Sequence, residues 1–212
     1  MLRLVLRRDR IRLLTWAAAI GALVFVSASS VEGLYPTAES LAGYVALVEG
    51  NAAVVVQAGP GYGLDDPTLG SVLMNEVSLW TLNIVSLMSI LMVDRDTRAE
   101  EDCDGAEILR ASRGGRSGGA VAARAGVVSA CGLAAAVVAA GLVLSGYDST
   151  GALAFAATLV GTGMVYASVS HVTGQIATSS RVASGLALIA LGVSFILRAV
   201  GDVGNGVPSW FS

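Results

Sequence analysis

Ionisable side chains are scarce in this chain of 212 residues, and their positions limit the chemistry open to it. The densest run is Asp94-Arg95-Asp96-Thr97-Arg98-Ala99-Glu100-Glu101-Asp102-Cys103-Asp104-Gly105-Ala106-Glu107-Ile108-Leu109-Arg110. It interleaves both signs of charge with a small apolar side made of Ala99, Ala106 and Leu109. Mixed charge around an apolar anchor suits docking into a groove of a partner, with Ile108 or Leu109 as the anchor. The same run also reads as a solvated polar loop. Thr97 followed by Glu100 fits a capping box, so a helix start is expected there. Arg113-Gly114-Gly115-Arg116-Ser117-Gly118-Gly119 then reads as a flexible hinge.

Glu76 and Asn83 are seven residues apart, two helical turns, and so share a face. In an apolar helix they would line a polar part of a substrate path. The competing reading puts Glu76 at headgroup level and has Asn83 bonding a neighbouring helix. Arg198 and Asp202, at i and i+4, read as a structural ion pair within one helix. His171 is the single histidine and stands beside Gln175, with no second histidine or carboxylate close by on its helix. That argues against a metal site and leaves a proton-relay role as the weaker option. Cys103 and Cys131 fall in different settings, so no intrachain disulfide is expected. Cys-x-x-Cys, His-Glu-x-x-His and Gly-x-Ser-x-Gly patterns are all absent, which leaves no catalytic group and no cofactor site on this chain. Trp16, Trp80 and Trp210 read as interface or packing residues.

The elements that must position these residues follow from composition. Hydrophobic residues make up 54% and charged residues 14%, with mean hydropathy +0.71. A soluble domain carries about 25% charged residues. Coiled coil, disordered tail and disulfide scaffold are excluded, and a net charge of −3 suggests no nucleic-acid partner. What remains is a polytopic membrane protein. Five stretches are long and apolar enough to cross about 30 Å of hydrocarbon: 13–34, 71–93, 120–145, 151–172 and 182–200. Small residues at four-residue spacing, Gly132, Ala136 and Ala140 in the third span and Ala157 and Gly161 in the fourth, mark expected faces of close helix contact.

Every arginine except Arg198 lies before the first span, between the second and third or at their ends, or between the fourth and fifth. Segments 35–70 and 146–150 contain none. The positive-inside rule therefore expects residues 1–12 and 94–119 in the cytoplasm, with 35–70 and the tail 201–212 outside. The first apolar run is too long, and lacks the cleavage site, for a signal peptide. In segment 35–70, Pro36 suits the first helical position. Leu41, Val45, Val48, Ala52 and Val55 then predict one amphipathic helix, followed by the turn-rich Gly59-Pro60-Gly61-Tyr62-Gly63-Leu64-Asp65-Asp66-Pro67. Five spans with opposed ends read as half of a larger assembly.

The run Asp96–Ala111, together with residues 7–16, 59–70 and 179–202, resembles ABC-2-type permeases of the actinobacterial polyketide-antibiotic exporter family, the tetronasin-resistance type. The resemblance covers nearly the whole chain, although the Ala-rich third and fourth spans match only in character. It implies an all-α polytopic helix bundle, half of an ABC-2 (type V exporter-like) transmembrane domain. It further implies a partner ABC ATP-binding subunit, itself dimeric, that carries ATP and Mg, so that this chain is not an enzyme. In such exporters the helix after the second span is the coupling helix, a role that falls here to Thr97, Arg98, Glu100, Glu101, Gly105, Glu107, Leu109 and Arg110. The implied function is export of hydrophobic or amphipathic compounds across the plasma membrane, with a second permease half or a second copy as partner. The alternative is a non-transporting membrane anchor or immunity protein that binds an ABC ATPase or another permease half. An intramembrane enzyme ranks last, since no nucleophile is paired with a base.

Overall fold

The computed structural model describes residues 2–102 and 118–203, with side chains from 9 to 95 and from 124 to 203. Among these residues every regular element is an α-helix: α1 (Leu2–Leu34), α2 (Ala38–Val48), α3 (Ala52–Ala58), α4 (Leu69–Asp102), α5 (Gly118–Leu144), α6 (Ser149–Ile176) and α7 (Ser180–Val203). Five of them, α1 and α4 to α7, are long and apolar enough to cross a membrane. The chain is an all-α polytopic bundle.

The helix α4 is its hub, since it touches every other described helix. Its buried residues, among them Leu73, Val77, Val85, Met88 and Met92, occupy most of its circumference, as a central helix requires. By contrast α1 buries one stripe, Leu13, Ala17, Ile20, Val24, Ala28 and Val31, at three- and four-residue spacing. That stripe packs on α5 and α4.

Close packing depends on two glycines. A Cβ at Gly163 in α6 would collide with Cys131 Sγ of α5 and crowd Ser89 and Val85 of α4. One at Gly21 in α1 would lie 2.6 Å from a Val137 methyl of α5. The expected small-residue faces are not the ones used. Gly132, Ala136, Ala140, Ala157 and Gly161 are all exposed, and nothing approaches within 4 Å of a Cβ at Gly132 or Gly161. The packed faces lie one position away, at Cys131, Ala134, Ala135 and Val138 and at Ala156, Leu159, Gly163 and Ala167. The physical reason is that these helices carry small residues all round, so four-residue spacing occurs on more than one face.

The segment after α1 also differs from expectation. It forms two helices, α2 and α3, bent by 102°. Gly50 takes a positive φ of 73°, and the Asn51 side chain accepts from Ala53 N at 3.1 Å to start α3 afresh. Thr37, not Pro36, begins α2: Thr37 and Ser40 form a reciprocal capping box. With 11 and 7 residues at this bend, the pair reaches under about 20 Å. That is short of a bilayer's hydrocarbon core, so the pair is a hairpin that returns to its own end of the bundle.

Candidate functional site

At the hairpin end, α2 and α3 and the loop behind them are held to α4 and α7 by polar contacts. Asn75, in the second turn of α4, is buried, and its amide addresses both backbone groups of Tyr62: Oδ1 accepts from Tyr62 N and Nδ2 donates to Tyr62 O, each at 3.0 Å. One side chain thus staples the glycine-rich loop to the bundle. Arg198 of α7 donates from Nη2 to the Val56 carbonyl of α3 at 2.5 Å, while Nη1 lies 2.6 Å from Asp202 Oδ2. Its guanidinium carbon stands 5.3 Å from the centre of the Phe195 ring. Arg198 is therefore paired within its helix and also bracketed to the last turn of α3, a contact the i, i+4 spacing did not disclose.

Tyr44 of α2 is 3% exposed and meets Tyr35 edge-on, with ring centres 5.4 Å apart. Burial, and after it the neighbouring Glu76 carboxylate, holds its phenol protonated well above the ordinary tyrosine range. Glu76 itself is exposed, on the face of α4 that carries Trp80 one turn deeper. Asn83, two turns from Glu76, is half-buried and donates to the Leu79 carbonyl of its own helix at 2.8 Å. The two expected pathway residues thus share a side of α4, Glu76 beside the Tyr44 hydroxyl and Asn83 turned back onto its own helix.

At the opposite end, the base of α4 is tied to α6. Ser170 Oγ donates to Asp94 Oδ1 at 2.7 Å and lies 3.5 Å from the Ile90 carbonyl. Asp94 is 6% exposed, and His171, next to Ser170, is within electrostatic reach of Asp94 and of Arg124 on α5. A carboxylate does approach His171, then, from another helix. Among the described residues no group of three or more His, Cys, Asp or Glu side chains is placed to hold a metal.

Beyond Asp94, α4 continues unbroken to Asp102. The helix start expected at Thr97 does not occur, because Thr97 is interior to a longer helix. Thr97, Arg98, Glu100 and Glu101 extend the α4 rod, whereas Gly105, Glu107, Leu109 and Arg110 lie outside the described residues. Tyr44 and Asn75 were not singled out from sequence, Trp80 was read only as an interface or packing residue, and Asp94 only as the start of the charged run. For Tyr44 the signal was present: it falls three residues after Leu41 and four before Val48, on the packed face of α2.

No family model matches the chain. It is similar to the multidrug efflux system permease protein Rv1217c of Mycobacterium tuberculosis (strain ATCC 25618 / H37Rv), at 34% identity over 216 aligned positions. That alignment takes in 100% of this chain and 38% of the relative, so the chain spans well under half the relative's length.

Proposed function

We propose that the chain forms part of the membrane-spanning permease of an ATP-driven exporter for hydrophobic or amphipathic compounds, polyketide antibiotics and drugs among them. The observation that carries this reading is similarity along the whole chain to a permease named for multidrug efflux. Five membrane-length helices, four of them packed around a central α4, supply a membrane-spanning architecture. ATP hydrolysis then belongs to a separate ATP-binding subunit, and a second permease half or a second copy completes the pathway.

In this reading the N-terminus and the end of α4 face the cytoplasm, in keeping with the arginines that flank them. The segment Thr97–Arg110 docks on the ATPase. The continuity of α4 supports a mechanical role: a push on its cytoplasmic end passes along one rigid helix to the hairpin at the far end. The Asp94–Ser170 contact carries the same motion into α6. Glu76 opens onto the substrate path.

The test is co-reconstitution with a candidate ATP-binding subunit. Charge reversal at Arg98, Glu100 and Glu101 together is expected to abolish substrate-stimulated hydrolysis while leaving membrane insertion intact. Unchanged stimulation in that triple variant would remove the docking role. Co-purification with the ATPase but no efflux under any substrate would favour the non-transporting anchor instead.

A further inference from the structure

We propose that Asp94, His171 and Arg124 form a proton-operated switch at the Asp94 end of the bundle, one that shifts the hold on α6 from α5 toward α4 when His171 takes up a proton. The three side chains come from three helices in mutual contact, α4, α6 and α5. Asp94 is buried; its Oδ1 accepts from Ser170 Oγ, whereas Oδ2 is sealed from solvent and has no hydrogen-bond partner. His171 follows Ser170 in the last two turns of α6 and is half-buried, and its Nε2 is likewise sealed without a partner. Buried polar atoms are normally paired, so an open acceptor on α4 and an open ring nitrogen on α6 in one cluster call for an explanation.

Protonation supplies one. The second ring nitrogen, Nδ1, is not sealed, which gives the imidazole a route for proton exchange with water. With a proton on each nitrogen, Nε2 is a donor whichever tautomer preceded it, the complement of the open Asp94 oxygen. The Ser170 hydroxyl keeps that carboxylate in place meanwhile.

The charges around the ring are few and opposed. Of the helices packed on α6, α4 presents Asp94 and α5 presents Arg124, while α7 presents no described charge to it. A neutral imidazole is nearly indifferent to both. An imidazolium is attracted by the carboxylate and repelled by the guanidinium, so one proton alters two helix contacts in opposite senses. Arg124 is exposed and forms no ion pair among the described residues, which leaves it free to turn toward water. In the neutral state the hydroxyl alone ties α6 to the Asp94 end of α4; in the protonated state a charge pair adds to that tie while the α5 side is pushed away. The switch therefore sets how firmly a displacement of the α4 end is passed to α6. It needs neither ATPase nor substrate, so its failure leaves the permease reading untouched.

The experiment uses the full chain in detergent micelles. Its single histidine makes the ring resonances a direct report of His171, and the ring is expected to pass from neutral to protonated between about pH 8 and about pH 5. Thermal unfolding of the wild type, His171→Gln, Asp94→Asn, Arg124→Gln and the two double variants with His171→Gln then gives the coupling of each pair at both pH values. The His171–Asp94 coupling should become more stabilising in acid by at least about 2 °C, and the His171–Arg124 coupling should move about as far in the opposite sense. Couplings that do not change with pH, or change in the same sense, overturn the switch, as does a ring that stays neutral throughout. Arg124→Gln alters an exposed side chain and keeps the fold, so its cycle alone decides the matter if Asp94→Asn does not fold.

Discussion

Arg198 concentrates more constraint than any other described side chain. Its side chain is 21% exposed and that of its partner Asp202 only 3%, so the carboxylate depends on the guanidinium for compensation. The same guanidinium closes the carbonyl of Val56, one of the groups a helix C-terminus leaves open. Removing it as Arg198→Met leaves a buried charge and an open carbonyl together, at a cost of about 3 kcal/mol. Replacing both partners, as Arg198→Met with Asp202→Leu, should recover most of that loss, since two apolar groups need no compensation. Arg198→Lys keeps the charge but lacks the planar fork, so it serves Asp202 and releases Val56. Denaturation midpoints in mixed micelles separate the cases. Equal losses in the single and double variants would show that charge pairing is not what these residues contribute.

Between elements, the bundle is held by close approach more than by large side chains, and this is where reading the sequence succeeded least. Spans and their order were legible because a run of about 20 apolar residues has few alternative explanations. Each expected stretch coincides with one of the five membrane-length helices, four of them with ends extended by a few residues and the third shorter, Arg124–Leu144. Which face of an Ala- and Gly-rich helix packs is a different problem. Residues 131, 132, 134, 135 and 136 are all small, so spacing alone could not choose between the Gly132 face and the Cys131 face. The site was legible only where a charged residue interrupted an apolar run, as Glu76 and the Arg198–Asp202 pair do. Asn75, adjacent to it, and Tyr44, hidden in an apolar pattern, needed the packing to be seen. Two substitutions of the same kind test the packing assignment. Gly163→Ala pushes a methyl onto Cys131 and should cost about 1–3 kcal/mol, relieved by Cys131→Ala. Gly132→Ala meets open space and removes backbone entropy from the unfolded helix, so it should stabilise by about 0.5–1 kcal/mol. Thermal unfolding of the variants decides it, and a loss at Gly132 as large as at Gly163 would mean that the Gly132 face is packed after all.

For the molecule as a whole, the hairpin and α4 together decide how the chain is threaded. If α2 and α3 made a crossing there would be six, and the two ends of the chain would lie on the same side. A bend of 102° between helices of 11 and 7 residues does not allow that reach, so α1 and α4 cross in opposite senses with the hairpin folded back between them. At 34 residues α4 is about 50 Å long, some 20 Å more than hydrocarbon requires, so its charged end must leave the bilayer. The arginine distribution predicts a cytoplasmic location for that end. The chain contains its own probe for this, because Cys103 follows α4 directly and Cys131, the other cysteine, is buried in the bundle. A membrane-impermeant maleimide applied to intact cells should leave the wild-type chain unlabelled and modify Cys103 once the membrane is permeabilised. Asp65→Cys in a Cys103→Ser background should behave in the opposite way, reacting from outside without permeabilisation. Labelling of both positions from the same side would mean that α4 does not cross. Cys103 reacting from outside while Asp65→Cys is protected would mean that the hairpin crosses or that the whole chain is inverted, and either removes the assignment of the α4 end to an energy-supplying partner.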